Sequence, residues 1–318
     1  MMSMGPRFKA TVFNAAVAGA ATMLVMSTAA LAATVAGTAD SKAQATKAPA
    51  VAAEPRVPVL TVAQILEKHA AARGGLPAWK AVQTLQMSGK MEAGRGDNDK
   101  RAAKMIAMTR EAGGKGSSAE VAAANADPEA DKQIQLPFTL DLGRPNRSRL
   151  EIEFDGKTAV QVFDGEHGWK YRPFLNRKDV EPFTKDEANA EAARGEIEGP
   201  LIDYAAKGTK VELEGSDLVD ASPAYRLKVT PKGGTAKHIW IDAKSFLDVK
   251  IEGLPRRMDG KMHPVYVYQR DFRPVQGVII PFVLETKVDG YPDAHKALVE
   301  KAAVNPSLDP AIFAKPRA

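Results

Sequence analysis

Cysteine is absent from all 318 residues. This excludes thiol nucleophiles, thiolate metal centres and disulfides, and also acylation at a lipobox cysteine. Histidine is scarce: His69, His167, His238, His263 and His295 are the full set of five. No two of them stand in an HExxH or HxH spacing, so each reads as an ordinary core or surface side chain, and neither a metal nor a cofactor is expected. A GxSxG nucleophile elbow, a GxGxxG loop after a strand and an EF-hand loop are missing as well. The run Gly113-Gly114-Lys115-Gly116-Ser117-Ser118 has glycines but not the spacing of a phosphate loop. Glu151 and Glu153 share one strand face and read as its solvent side, not as an acid–base pair. No catalytic set can be assembled, so the expectation is a protein that is not an enzyme.

Long apolar runs are also lacking after the first thirty residues. The one early run, Ala15–Met26, follows Arg7 and Lys9 and precedes Ala30-Leu31-Ala32. That layout predicts a secretory signal peptide over residues 1–32, cleaved before Ala33. Residues 33–57, rich in Ala with Thr, Lys and Pro, predict a disordered linker. The expectation is an exported, soluble protein. Its formal charge of +5 comes from Lys and Arg interspersed with Asp and Glu. Basic runs such as Arg256-Arg257 are short, which argues against a nucleic-acid partner.

What the chain does have is alternation. In Arg149–Phe154, Leu150, Ile152 and Phe154 point one way while Arg149, Glu151 and Glu153 point the other. Asp155-Gly156 turns the chain, Val160 and Val162 resume an apolar face, and Asp164-Gly165 turns it again before Trp169. Similar strands are predicted over 84–93, 102–110, 134–142, 148–154, 158–163, 169–172, 210–213, 224–230, 237–241, 246–252, 265–272, 278–288 and 294–304. The two shortest, 169–172 and 210–213, are doubtful as strands, leaving about eleven. The 111–133 stretch reads as a flexible insertion. Thr61 caps a helix from Val62, ended by Gly74-Gly75, and Leu76–Val82 forms a second short one. Thr184, with Glu187 three residues on, opens a helix by a capping box, and Pro200–Tyr204 starts another. The predicted fold class is mainly β with helices (α+β): one curved antiparallel sheet or incomplete β-barrel of about eleven strands, with a helical lid over 184–207 in a single domain spanning 58–318. Leu150, Ile152, Phe154, Val160, Val162 and Trp169 are expected to share adjacent faces as the candidate lining of an apolar cavity. Periodicity alone leaves open whether such a face encloses a cavity or a filled core.

Several strings resemble a known family. Phe163-Asp164-Gly165 with Gly168-Trp169-Lys170-Tyr171-Arg172-Pro173, Trp240-Ile241-Asp242 through Phe246-Leu247-Asp248-Val249-Lys250, Asp271-Phe272-Arg273 with Gly277-Val278-Ile279-Ile280-Pro281, and Leu308-Asp309-Pro310-Ala311-Ile312-Phe313 look like the outer-membrane lipoprotein-sorting (LolA-like) family, in its generic branch. With the N-terminal helix the likeness runs from Val62 to Pro316. It implies a half-open barrel with a helical lid, working in the periplasm. Its apolar inner face would receive acyl chains of a lipoprotein or lipid for transfer toward the outer membrane. Membrane-bound donor and acceptor proteins would be further partners. The competing implication is a sensor module on the same fold, binding lipid or protein segments in envelope-stress signalling. The resemblance brings no catalytic residue with it.

Overall fold

The computed structural model describes residues 57–93, 134–173, 179–194 and 197–317. The expected signal peptide, nearly all of the linker, the strand 102–110 and the insertion 111–133 lie outside these residues. Helix α1 (Val62–Ala72) starts where expected: Thr61 Oγ1 accepts from Gln64 N at 3.2 Å, and Gln64 Oε1 accepts from Thr61 N at 2.9 Å. This reciprocal cap satisfies two donors that the first turn leaves orphaned. Helix α2 (Leu76–Ala81) follows at once, because Gly74 and Gly75 take φ of 103° and 90°. A Cβ on Gly74 would also stand 2.3 Å from Gly277 O, so only glycine lets the end of α1 press against the sheet there.

The strands are β1 (Thr84–Ala93), β2 (Ile134–Gly143), β3 (Arg147–Phe154), β4 (Lys157–Phe163), β5 (Gly168–Tyr171), β6 (Val180–Pro182), β7 (Lys210–Val219), β8 (Ser222–Thr230), β9 (Lys237–Asp242), β10 (Asp248–Glu252), β11 (Arg256–Met258), β12 (Lys261–His263), β13 (Val265–Val275), β14 (Val278–Val288) and β15 (Ala294–Val304). Helix α3 (Lys185–Arg194) lies between β6 and β7. Thirteen of these strands form one antiparallel sheet in the order β6-β5-β4-β3-β2-β1-β15-β14-β13-β10-β9-β8-β7, and β11–β12 is a separate ribbon. Both short strands in doubt are real, and the second extends to Val219 through a bulge near Glu214. A sheet of this width has to coil. Its edges, β6 and β7, do not pair with each other, so the result is an open, curved half-barrel.

The edges are consecutive in sequence, so the connection 183–209 has to cross from one rim to the other. It does so over the inner face, which the helices also cover. Leu201 packs with α1 residues Ile65 and Leu66 against Tyr225, Leu227, Val229, Ile239 and Ile241. Ile202 packs with Trp79 of α2 against Leu136, Phe138, Leu140, Leu150 and Ile152. The expected helix at 200–204 is instead a series of turns. Asp203 takes φ of 54°, a left-handed conformation that a continuing helix does not admit. At the C-terminus, Asp309 caps a short 3₁₀ turn, Pro310–Phe313, and Phe313 is buried against the outer face with the Arg147 guanidinium 4.9 Å from its ring centroid.

Candidate functional site

The structure does not bring the six candidate lining residues together. Leu150 and Ile152 are buried in the inner core and Phe154 is half-buried beside them. Val160, Val162 and Trp169 are on the outer face. The cause is the Asp155-Gly156 turn: a two-residue loop pairs Phe154 with Lys157, so Ile152 stands opposite Ala159 and Leu150 opposite Gln161. Val160 and Val162 therefore lie opposite Glu151 and Arg149, and Trp169 lies opposite Val162. A one-residue error of parity moves a whole strand face to the other side.

The inner face has two kinds of cover. The α1–α2 part is pinned through backbone and charge. Ile279 N donates to Arg73 O at 3.0 Å, and Arg73 Nε donates back to Ile279 O at 2.8 Å. Trp79 Nε1 also donates to Arg73 O, at 2.8 Å. Arg73 Nη1 meets Asp248 at 2.7 Å in a buried ion pair. The 183–209 part is held mostly by side chains. Lys170 Nζ stands 2.5 Å from Glu187 of α3, and Ser148 Oγ donates to Glu191 at 3.1 Å. Glu198 lies between Arg144 at 2.7 Å and Lys207 at 2.6 Å. Glu187 also completes the expected capping box, accepting from Thr184 N at 2.7 Å.

Sequence reasoning missed these cations and acids. The only signal for them was the spacing of Glu187 and Glu191, four apart and so on one helix face.

His69 is a core histidine, as its sequence context suggested. Its Nδ1 donates to Phe246 O at 3.0 Å, and burial lowers its pKa from the ordinary 6.5, outweighing the pull of Asp248. Burial alone would raise Asp248, but the charges of Arg73 and His69, with the Arg73 hydrogen bond, hold it below the ordinary 3.8. Both depressions act in the same direction. Below pH 6.5 the unfolded chain takes up a proton on its histidine that folded His69 refuses, so stability is full above that value and is lost as the pH falls through it. The Asp248 contribution is lost only further down, below pH 3.8. Urea melts between about pH 7.5 and about pH 5.5 should show a decline of at most ~1.4 kcal/mol per pH unit from this group, absent in His69→Gln. An equal decline in the variant would place its origin elsewhere.

On the outer face, a cavity of about 870 Å³ lies between β1–β4 and the C-terminal segment, lined among others by Gln86, Asp141, Arg149, Glu151, Tyr171 and Lys315. Burial pushes the Asp141 carboxyl up, against the hydrogen bond it accepts from Gln86 Nε2 at 2.7 Å. A second cavity, of about 520 Å³, opens at the β3–β4 turn beside Phe154. Among the described residues no group of three or more His, Asp or Glu side chains is placed to hold a metal. No described helix is long and apolar enough to cross a membrane.

No family model and no curated protein matches the chain. Among solved structures it is similar to a LolA superfamily protein from Nitrosomonas europaea, with 13% identity, a TM-score of 0.48, and coverage of 81% of this chain and 99% of that one. It is also similar to a DUF1329 family protein from Desulfovibrio piger, at 12% identity and a TM-score of 0.47, over 80% of this chain and 97% of that one. A third is an outer membrane lipoprotein-sorting protein domain from Vibrio parahaemolyticus, at 10% identity and a TM-score of 0.45, over 79% and 94% of the two chains.

Proposed function

We propose that this protein is a periplasmic carrier, not an enzyme, that takes acyl chains of a lipoprotein or lipid between the inner face of the half-barrel and a lid formed by residues 184–207, for transfer toward the outer membrane. One observation supports this above others. An unclosed sheet presents an apolar inner face, and the connection crossing it is fastened to the sheet side by side-chain ion pairs and hydrogen bonds, with Leu201 and Ile202 as its main buried apolar contacts. When such a connection lifts, its charged groups pass into water, where they are well solvated. The apolar loss is chiefly Leu201 and Ile202, about 1.5–3 kcal/mol each. An acyl chain gains ~0.8 kcal/mol per buried methylene, so roughly eight methylenes offset the opening. Leu150, Ile152 and Phe154 would then contact the chain. Val160, Val162 and Trp169 would not.

The absence of cysteine gives a clean test. Ser148→Cys/Glu191→Cys should allow a disulfide or a short bis-thiol crosslink to fasten α3 to β3. The locked protein should lose uptake of a fluorescent acyl probe, and reduction of the disulfide should restore it. Native mass spectrometry of protein from its own periplasm should find lipid or lipoprotein bound. Uptake by the locked form equal to the open form would remove the lid from the mechanism. No uptake in any form, with no co-purified lipid, would end the carrier reading.

A further inference from the structure

Across the inner face, residues brought opposite one another form a row from β15 to β6: Ala302, Met87, Leu140, Leu150, Gln161, Lys170 and Glu181. Four apolar positions give way to three polar ones, and Lys170 stands two strands, roughly 10 Å, from Leu150. Arg172 is the next inward-facing residue on that side, paired with Glu181 at 2.8 Å. Lys170 and Arg172 are each only 6% exposed. Cations are rarely buried so deeply, and replacing a buried ion pair by apolar side chains is often neutral or stabilising. Stability therefore gives no reason for a lysine and an arginine at the end of an apolar row.

Their anions come from different places. Glu181 belongs to the sheet, but Glu187, the partner of Lys170, belongs to α3. Among the described side chains of α3, Ala190 is the only buried apolar one. The helix thus meets the sheet with its carboxylates. Arg172 Nε, moreover, is buried with no hydrogen-bond partner among the described residues.

We infer that the ligand is an amphiphile with an anionic oxygen head group, which takes the place of the Glu187 carboxylate at Lys170, beside the Nε of Arg172, while its chain lies along Leu150, Leu140 and Met87. This rests on the carrier reading above and adds the ligand's class to it. With α3 lifted, a neutral lipid leaves Lys170 without its anion at the inner rim, while Arg172 keeps Glu181. A carboxylate or phosphate head restores the pair at Lys170 and offers an acceptor to the Arg172 Nε. The closed state is then a self-occupied form, in which the protein supplies its own anion.

The test compares affinities for ligands of one chain length on the full mature chain: a fatty acid, a lysophosphatidic acid, an uncharged monoacylglycerol, and inorganic phosphate alone. The wild type should bind both anionic amphiphiles at least tenfold more tightly than the monoacylglycerol. Lys170→Met should bring that ratio close to one, and Lys170→Arg should restore it. Lys170→Met leaves Glu187 buried and unpaired, so Lys170→Met/Glu187→Leu serves as the second variant should the first fail to fold, with the same loss of ratio expected. Equal binding of all three amphiphiles by the wild type overturns the head-group inference and leaves the carrier standing. Binding of none of them overturns both. Inorganic phosphate binding as tightly as the amphiphiles would make the site one for free anions and overturn the inference. A ratio unchanged in both lysine variants would overturn it too.

Discussion

Ile152→Glu is expected to lower the stability by several kcal/mol and the Tm by about 10 °C or more, enough to unfold much of the population at 37 °C. Ile152 is 2% exposed, sits opposite Phe138 and Ala159, and belongs to the cluster that Trp79 and Ile202 close from above. A carboxylate there has no cation within the cluster and no route to water. The matched control is Thr158→Lys, on the outer face opposite Glu153, which should stay within ~0.5 kcal/mol of wild type. The pair of melts also bears on mechanism. On the proposed carrier function, a filled inner face means that acyl chains must displace the cover, so uptake should be slow and should track lid opening. A near-normal melt for Ile152→Glu would instead mean that water already reaches the inner face, as in a standing cavity.

The strands were legible because half-buried antiparallel strands carry period-two alternation, and turn residues mark their ends. The strands 84–93 and 278–288 are found with those bounds. Which face lies inside was less legible. Around Trp169 the chain alternates aromatic and basic residues, and the expected lining puts Trp169 inward. The structure does the reverse: Lys170 and Arg172 are buried inward, while Trp169 and Tyr171 are half-buried on the outer face. Alternation separates two faces but does not say which of them is covered. Here the acids of α3, seventeen residues after Lys170 in the case of Glu187, decide it. The same limit explains Val160 and Val162, whose side is set by the length of one turn. The ion pairs of the cover join residues far apart in sequence, such as Arg73 with Asp248 and Arg144 with Glu198, and no local pattern announces them.

Removing one member of the Arg73–Asp248 pair should cost about 3–5 kcal/mol, whereas removing both should cost much less. Arg73→Met leaves the Asp248 carboxylate buried with Gln269 Nε2, at 3.2 Å, as its one remaining side-chain donor among the described residues. Asp248→Leu leaves a buried guanidinium that retains its bond to Ile279 O. In Arg73→Met/Asp248→Leu the two apolar side chains can pack where the charges met, so the double variant should melt well above either single one. Urea melts of all four proteins near neutral pH give the coupling directly. Additive single effects, with the double variant the least stable, would mean that Arg73 acts through its packing on Trp79, 5.2 Å from the ring centroid, and not through its charge. The outcome also separates the two halves of the cover. The backbone bond from Ile279 N to Arg73 O survives in every variant. If α1–α2 is the fixed half, a double variant of restored stability should take up acyl probe like the wild type. If it is the half that opens, loosening its side-chain anchor should change uptake while the Ser148–Glu191 lock no longer blocks it.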